Sequence, residues 1–116
     1  NALMTSLRSV SFERTRQDSQ GWGRLVECAV GSHLFTEAAD KGVEVFYWRE
    51  GNYEVDYILR KGRDIAAIEV KSGLREIHAS GLESFARRYS SRKILIGGHG
   101  GIPLSQALKM KIEEFF

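Results

Sequence analysis

Three charged side chains near the middle of the chain have the types and spacing for metal-dependent chemistry: Asp56, Glu69 and Lys71. Asp56 lies in an alternating stretch, residues 53–60, that is typical of a strand, and the other two end an apolar stretch, residues 64–71. Because side chains two positions apart share a face of a strand, Glu69 and Lys71 are expected on one side of the sheet.

The turn between these stretches sets which residues face each other. A two-residue turn at Lys61-Gly62 pairs Arg60 with Arg63 and Asp56 with Ala67. Asp56 and Glu69 then become diagonal neighbours on one face, with β-carbons about 7–8 Å apart or somewhat less. The small side chain at position 67 leaves room for the two carboxylates to converge.

Converging carboxylates on a covered face repel unless they are protonated, paired or bound to a cation. Oxygen ligands with net negative charge suit a hard ion, Mg²⁺ or Mn²⁺. Lys71 lies roughly 6.6 Å beyond Glu69. Its ammonium could orient or deprotonate a water, or stabilise charge on a phosphoryl oxygen. Glu27, at the edge of a helical apolar stripe, could add a ligand or hold a water.

Charges at alternate strand positions more commonly form the solvated face of a sheet. Here the Asp56 face also carries the apolar residues Ile58 and Ile65, and the opposite face carries Tyr57 and Leu59. The pattern therefore predicts a sheet covered on both sides, where charged groups need partners.

The remaining elements follow from periodicity. Trp22, Val26, Val30 and Leu34 recur every four residues and predict a helix over 22–39, with Gly42 suited to a left-handed exit. Further strands are predicted at 43–49 and 93–98, and the first three strands form an antiparallel meander.

The less regular segments carry weaker signals. Ser80 and Glu83 resemble a capping box for a second helix, whose apolar stripe includes Phe85. Residues 97–101 predict a flexible glycine loop, residues 104–115 a last helix, and the first 20 residues a helical turn followed by a connector.

Composition limits the class of protein. The 116 residues include 17 basic and 15 acidic ones, a net charge of +2, with 42% hydrophobic and 28% charged residues. These values predict one soluble globular domain rather than a disordered chain. The single cysteine, Cys28, excludes an internal disulfide framework and a thiolate zinc cluster. With no disulfide framework, the reducing cytoplasm is the expected location. No apolar stretch approaches the roughly 20 residues of a membrane span, so no membrane association is expected.

Glu27, Asp56 and Glu69-Val70-Lys71, in helix–strand–strand order, resemble the PD-(D/E)XK nuclease-like superfamily. More narrowly, the chain resembles the C-terminal nuclease-like domain, a domain of unknown function, of prokaryotic AAA+-type ATPases. The resemblance covers residues 1–116. The segments that carry it are Trp22-Gly23-Arg24-Leu25-Val26-Glu27, Phe46-Tyr47-Trp48-Arg49, Glu54-Val55-Asp56, Ile68-Glu69-Val70-Lys71-Ser72-Gly73 and Gly101-Ile102-Pro103-Leu104.

The resemblance implies an α/β fold with a restriction-endonuclease-like core, in the order α-β-β-β-α-β, and a mixed sheet flanked by helices. It implies that Asp56 and Glu69, with the Val70 carbonyl, bind Mg²⁺ or Mn²⁺, that Lys71 positions or activates the attacking water, and that Glu27 assists at the metal. Val55 stands where the superfamily motif has proline.

The expected function is Mg²⁺-dependent hydrolysis of phosphodiester bonds in nucleic acid, with DNA as the expected partner. Arg49, Ser72 and Arg75 are the expected contacts to the nucleic acid, although Arg49 could instead pair with a carboxylate beside a core Trp48. Residues 60–93 hold nine basic and four acidic residues, an asymmetry that could attract phosphate or simply be solvated.

The sequence is also compatible with two alternatives. The domain could be a non-catalytic DNA-binding or regulatory C-terminal domain of an AAA+-type ATPase. For either role the resemblance implies that residues 1–116 are a single domain at the C-terminal end of a longer ATPase, with the N-terminal ATPase module of the parent chain as a partner. The domain could also be an oligomerisation domain that forms homo-oligomers through Phe115-Phe116. The chain lacks a G-x-x-x-x-G-K-[ST] motif, so we expect no P-loop nucleotide binding within it.

Overall fold

The strands form one five-stranded mixed sheet in a computed structural model that describes residues 2–6, 22–71 and 81–116. The sheet order is β1-β2-β3-β4-β5, antiparallel throughout except for the parallel pair β4–β5. The strands are β1 (Ala2–Ser6), β2 (Glu44–Glu50), β3 (Tyr53–Lys61), β4 (Asp64–Lys71) and β5 (Arg92–Gly97). The predicted α/β class and mixed sheet are confirmed.

The first strand corrects the predicted N-terminal helical turn. Residues 2–6 pair antiparallel with β2, with Met4 opposite Trp48. β2 is rich in β-branched and aromatic residues and would otherwise present an open edge, so pairing across the sheet overrides the weak local pattern. The rest of the first twenty residues lies outside the described part of the chain.

The first helix, α1 (Trp22–Ala38), confirms the predicted helix. Its buried stripe of Val26, Val30, Leu34 and Ala38 follows the four-residue spacing and packs on one face of the sheet. The chain then leaves the helix through positive φ angles at Asp40 (60°) and Gly42 (71°). The left-handed exit at the glycine is therefore confirmed.

A second helix, α2 (Leu82–Arg88), covers the opposite face of the sheet. Phe85 is fully buried there and meets Trp48 edge to face, with ring centroids 5.4 Å apart. The prediction that the sheet is covered on both sides is confirmed. Charged groups that lie within the layers are consequently separated from bulk water.

The predicted capping box does not form at α2. Gly81 is the N-cap, and its N–H donates to the Glu54 carbonyl at 2.9 Å. Glu83 instead accepts a hydrogen bond from Lys93 at 2.6 Å, which holds the pKa of that exposed carboxyl below its ordinary value. Ser80 lies outside the described residues.

The C-terminal segment is not the single helix predicted over 104–115. It divides into α3 (Leu104–Ala107) and a 3-10 helix (Ile112–Phe115). A continuous α-helix would place Ala107 and Ile112 about 140° apart around its axis, whereas the break allows both to be buried. His33 Nε2 lies 2.7 Å from the Met110 carbonyl within this break.

The two terminal phenylalanines, the predicted oligomerisation surface, pack against the core of this domain, and homo-oligomerisation itself stays a prediction. Phe115 is fully buried in the core beneath α1, and Phe116 is half-buried against the same cluster. The two rings therefore serve the interior of the domain rather than forming an exposed apolar patch.

Two leucines on α1 give a matched test of this packing. Leu34 is fully buried and Leu25 is 64% exposed. Because both residues are leucines within α1, a change to alanine alters helix propensity equally at both and the two variants differ in burial. We expect Leu34→Ala to lower the free energy of unfolding by about 2–5 kcal/mol, and Leu25→Ala to change it by about 0.5 kcal/mol or less. Urea unfolding followed by circular dichroism measures both; equal losses would contradict the orientation of α1.

Candidate functional site

The β3–β4 hairpin has a different register from the one predicted. Lys61 pairs with Asp64, so the two turn residues are Gly62 and Arg63 rather than Lys61 and Gly62. Gly62 has φ 62°, a conformation open to glycine at the first central position of a hairpin turn. The requirement for positive φ at that position explains why the turn lies one residue later along the chain.

The corrected register changes which residues of β3 and β4 face each other. Ile58 pairs with Ala67 and Tyr57 with Ile68, where the ladder ends. One further step in the same register sets Asp56 opposite Glu69, instead of opposite Ala67. An offset of two residues alone would keep the same faces, because side chains alternate with a period of two; a bulge in β3 interrupts that alternation.

A β-bulge in β3 lies at the candidate site. Phe46 pairs with Ile58 and Trp48 with Val55, so the single residue Tyr47 faces both Asp56 and Tyr57. Nothing in the local sequence marks this bulge, and the sequence interpretation missed it. Bulges redirect side chains and occur frequently beside active sites.

The bulge also breaks the predicted alternation along β3. Val55 packs with Ile58 in the cluster beneath α2, while Tyr57 packs in the cluster beneath α1. The predicted shared face of Glu54, Asp56 and Ile58 is therefore wrong. Asp56 instead lies at the point where regular pairing of β3 with both neighbours is interrupted.

Asp56 contacts the main chain of the second motif segment. The residue is 4% exposed, and its Oδ2 accepts a hydrogen bond from the Val70 N–H at 2.8 Å. This side chain replaces the backbone acceptor that a longer ladder would supply, so the amide stays paired inside the protein. The contact places the Asp56 carboxylate next to the Glu69–Val70 peptide.

Glu69 and Lys71 form a largely buried ion pair. Glu69 Oε2 lies 3.4 Å from Lys71 Nζ, and the two side chains are 4% and 19% exposed. The other carboxylate oxygen, Oε1, is buried and has no hydrogen-bond partner among the residues that the structure describes. An unsatisfied buried oxygen of a charged group is unfavourable and needs a compensating partner.

The structure does not bring Glu27 into one metal-binding group with these acids. Glu27 is half-buried on α1, and its carbonyl accepts a hydrogen bond from the Tyr57 hydroxyl at 3.0 Å. Within residues 2–6, 22–71 and 81–116, no group of three or more His, Cys, Asp or Glu side chains could hold a metal ion. The arrangement on the sheet is thus two acids and one lysine.

Of the three predicted nucleic-acid contacts, the structure describes only Arg49, and the contacts themselves stay predictions. Arg49 is exposed, donates to the Gly51 carbonyl at 3.2 Å and lies 3.9 Å from a Glu54 oxygen, as its alternative prediction of a carboxylate partner required. Trp48 is fully buried, which confirms its place in the core. Ser72 and Arg75 lie outside the described residues.

Much of the basic charge near this region is already engaged by the protein. Arg88 pairs with Glu50, Arg60 with Glu44, and Lys93 with Glu83. Arg92 donates to two C-terminal carbonyls. These exposed contacts weaken as salt rises, so they order the surface modestly and leave the buried pair at Glu69 as the distinctive charged feature.

The fold and the site define an α/β domain whose mixed sheet holds two buried acids between layers of helices. Residues 22–110, which include the site, match the family described as Domain of unknown function (DUF4143), and the chain belongs to that family. Comparisons with curated proteins and with solved structures find no match. None of the helices in the described segments has the length and apolar character needed to cross a membrane.

The hydrogen bond from Val70 to Asp56 predicts a local effect on amide exchange. Asp56→Ala removes the acceptor, whereas Asp56→Asn retains an amide oxygen in its place. We expect the Val70 amide to exchange with solvent at least about tenfold faster in Asp56→Ala than in Asp56→Asn. Hydrogen exchange followed by NMR measures this difference, with the Leu59 amide as the reference for global opening. Equal protection of Val70 in both variants would refute the contact.

Proposed function

We propose that this domain is a metal-dependent nuclease-like domain, with a restriction-endonuclease-like PD-(D/E)XK core, that hydrolyses phosphodiester bonds in nucleic acid. The observation that carries the proposal is the meeting of buried Asp56 with the Glu69-Val70-Lys71 segment at the interrupted end of the β3–β4 ladder. The order α1-β2-β3-β4-α2-β5, with β5 returning parallel to β4, supports the proposed core.

The donor set fits a hard divalent ion. Glu69 Oε1 is buried without a hydrogen-bond partner in the described structure, and the nearby ligands are all oxygens. The Asp56 and Glu69 carboxylates, with the Val70 carbonyl, would hold Mg²⁺ or Mn²⁺. When bound, such an ion supplies charge neutralisation at phosphate and lowers the pKa of water.

The protein groups have separate tasks in the proposed hydrolysis. The Val70 N–H fixes one Asp56 oxygen, and the Lys71 ammonium fixes one Glu69 oxygen. Because Lys71 is 19% exposed, its ammonium can also reach a phosphodiester at the surface. There it would donate to a non-bridging oxygen or orient the attacking water while one P–O bond forms and another breaks.

Cleavage of plasmid DNA tests the proposal. Wild type with Mg²⁺ or Mn²⁺ is expected to nick supercoiled plasmid, and a chelator is expected to abolish nicking. Asp56→Asn and Lys71→Met are each expected to lower the rate at least about a hundredfold. Lys93→Met is the matched control, because Lys93 also pairs with a glutamate but lies on the exposed surface. A wild-type rate unchanged by Asp56→Asn would refute the assignment.

Metal binding can be measured without turnover. Mn²⁺ is paramagnetic, so its binding at the site is expected to broaden the NMR signals of the Val70 and Lys71 amides at substoichiometric concentration. In Glu69→Gln, the same broadening is expected to require at least about ten times more Mn²⁺, because one anionic ligand is lost. Glu83→Gln, on an exposed carboxylate, is the control and is expected to leave the titration unchanged. Identical titrations for Glu69→Gln and wild type would contradict the site.

A non-catalytic DNA-binding or regulatory role is the second candidate. The observation that favours it is the absence of a third metal-ligating side chain beside the two acids among the described residues. In that case the same plasmid would be bound with strong salt dependence but not cut. A pairing with an N-terminal ATPase module in a longer parent chain is proposed for either role.

A further inference from the structure

The glycine loop after β5 (Gly97–Gly101) lies beside Lys71. Lys71 pairs with Gly97 across the parallel β4–β5 ladder. The loop is closed at its base, where the Gly97 N–H donates to the Ile102 carbonyl at 2.7 Å and the Ile102 N–H donates to the Leu95 carbonyl at 2.8 Å. The loop is therefore held in place against the end of β4, and is not the loose connector that the sequence predicts.

Two of its glycines approach Lys71 more closely than other residues could. A Cβ at Gly97 would lie 2.1 Å from the Lys71 carbonyl oxygen. A Cβ at Gly98 would lie 3.1, 3.5 and 3.8 Å from the Lys71 Cβ, Cγ and Cδ atoms. The side of Gly98 that a Cβ would occupy thus faces the alkyl stem of the lysine, and the corresponding side of Gly97 faces the Lys71 main chain.

This contact has a consequence for the ammonium. A lysine side chain has four rotatable bonds, and fixing it costs up to roughly 2 kcal/mol of side-chain entropy. The Lys71 ammonium lies 3.4 Å from Glu69, and the stem that carries it passes beside Gly98. Backbone atoms next to the stem leave less room for other rotamers than open solvent would.

We propose that Gly98 is a positioning residue that acts through Lys71: its backbone confines the lysine stem and so keeps the ammonium beside Glu69. The catalytic consequence rests on the proposed function, whereas the confinement itself concerns only the packing of the loop on the lysine. Gly98 does not touch the substrate in this proposal.

Gly100 provides a control for backbone strain. Gly98 has φ +67° and Gly100 has φ +83°, so alanine is strained at both positions. A Cβ at Gly100 would meet nothing within 4 Å, whereas a Cβ at Gly98 would press on Lys71. The two alanine variants therefore differ chiefly in their contact with the lysine.

The test compares Gly98→Ala with Gly100→Ala in the whole chain. With ¹³C-labelled lysine, the Lys71 Cε–Hε signal, assigned by its loss in Lys71→Met, is expected to shift in Gly98→Ala and to stay at the wild-type position in Gly100→Ala. Equal shifts in the two variants, or none in Gly98→Ala, would overturn the proposal. This NMR measurement does not depend on DNA cleavage.

The kinetics of DNA cleavage are the second measurement. Gly98→Ala is expected to lower kcat about ten- to a hundredfold with KM nearly unchanged, and Gly100→Ala to leave both near wild type. If wild type does not cut DNA, the proposed function fails while the lysine signal still decides the positioning. If Gly98→Ala does not fold, NMR of the wild-type protein tests the confinement of Lys71 instead. One dominant Lys71 χ1 rotamer with Gly98 Hα–Lys71 Hγ NOEs supports confinement, and averaged rotamers overturn it.

Discussion

The hydrogen bond from the Val70 N–H to the Asp56 carboxylate is the contact on which the site depends. It lies where the β3–β4 ladder stops and where β3 carries its bulge. Two strands that part would normally leave buried amides unpaired, which is unfavourable. The Asp56 carboxylate accepts from one such amide and is thereby fixed next to the Glu69–Val70 peptide. The stability of the sheet end and the geometry of the site therefore rest on one interaction.

The layers on either side of the sheet explain why the remaining charges are informative. α1 and α2 cover opposite faces, so Glu69 is nearly as buried as the apolar residues around it. Its pair with Lys71 compensates one carboxylate oxygen and leaves the other without a partner in the described structure. A purely structural ion pair gains little from such an arrangement, because a well-packed apolar pair is frequently as stable. The incomplete pairing is what favours a functional reading.

The sequence predicts the regular parts of this molecule and misses the irregular ones, for physical reasons. α1 follows from a four-residue apolar spacing, and the meander follows from alternation between short turn signals. The hairpin register depends on which residue takes positive φ, and Gly62 could occupy either central position of a turn. The bulge at Asp56 arises from pairing with β2, which no local pattern records. The acids were nevertheless identified, because both registers keep them on neighbouring strands.

The glycine loop illustrates the limit of reading such segments by composition. Gly97 to Gly101 has the composition of a flexible connector, yet its base is closed by two backbone hydrogen bonds and its first glycines contact Lys71. Glycine here allows the loop backbone to approach Lys71 closely, because a Cβ at Gly97 or Gly98 would press on the main chain or the stem of that lysine. The same parallel pairing that completes the sheet at β5 thus delivers the backbone that confines the cation. The addition of β5 to the sheet and the placement of the Lys71 ammonium therefore both depend on the register of the β4–β5 pair.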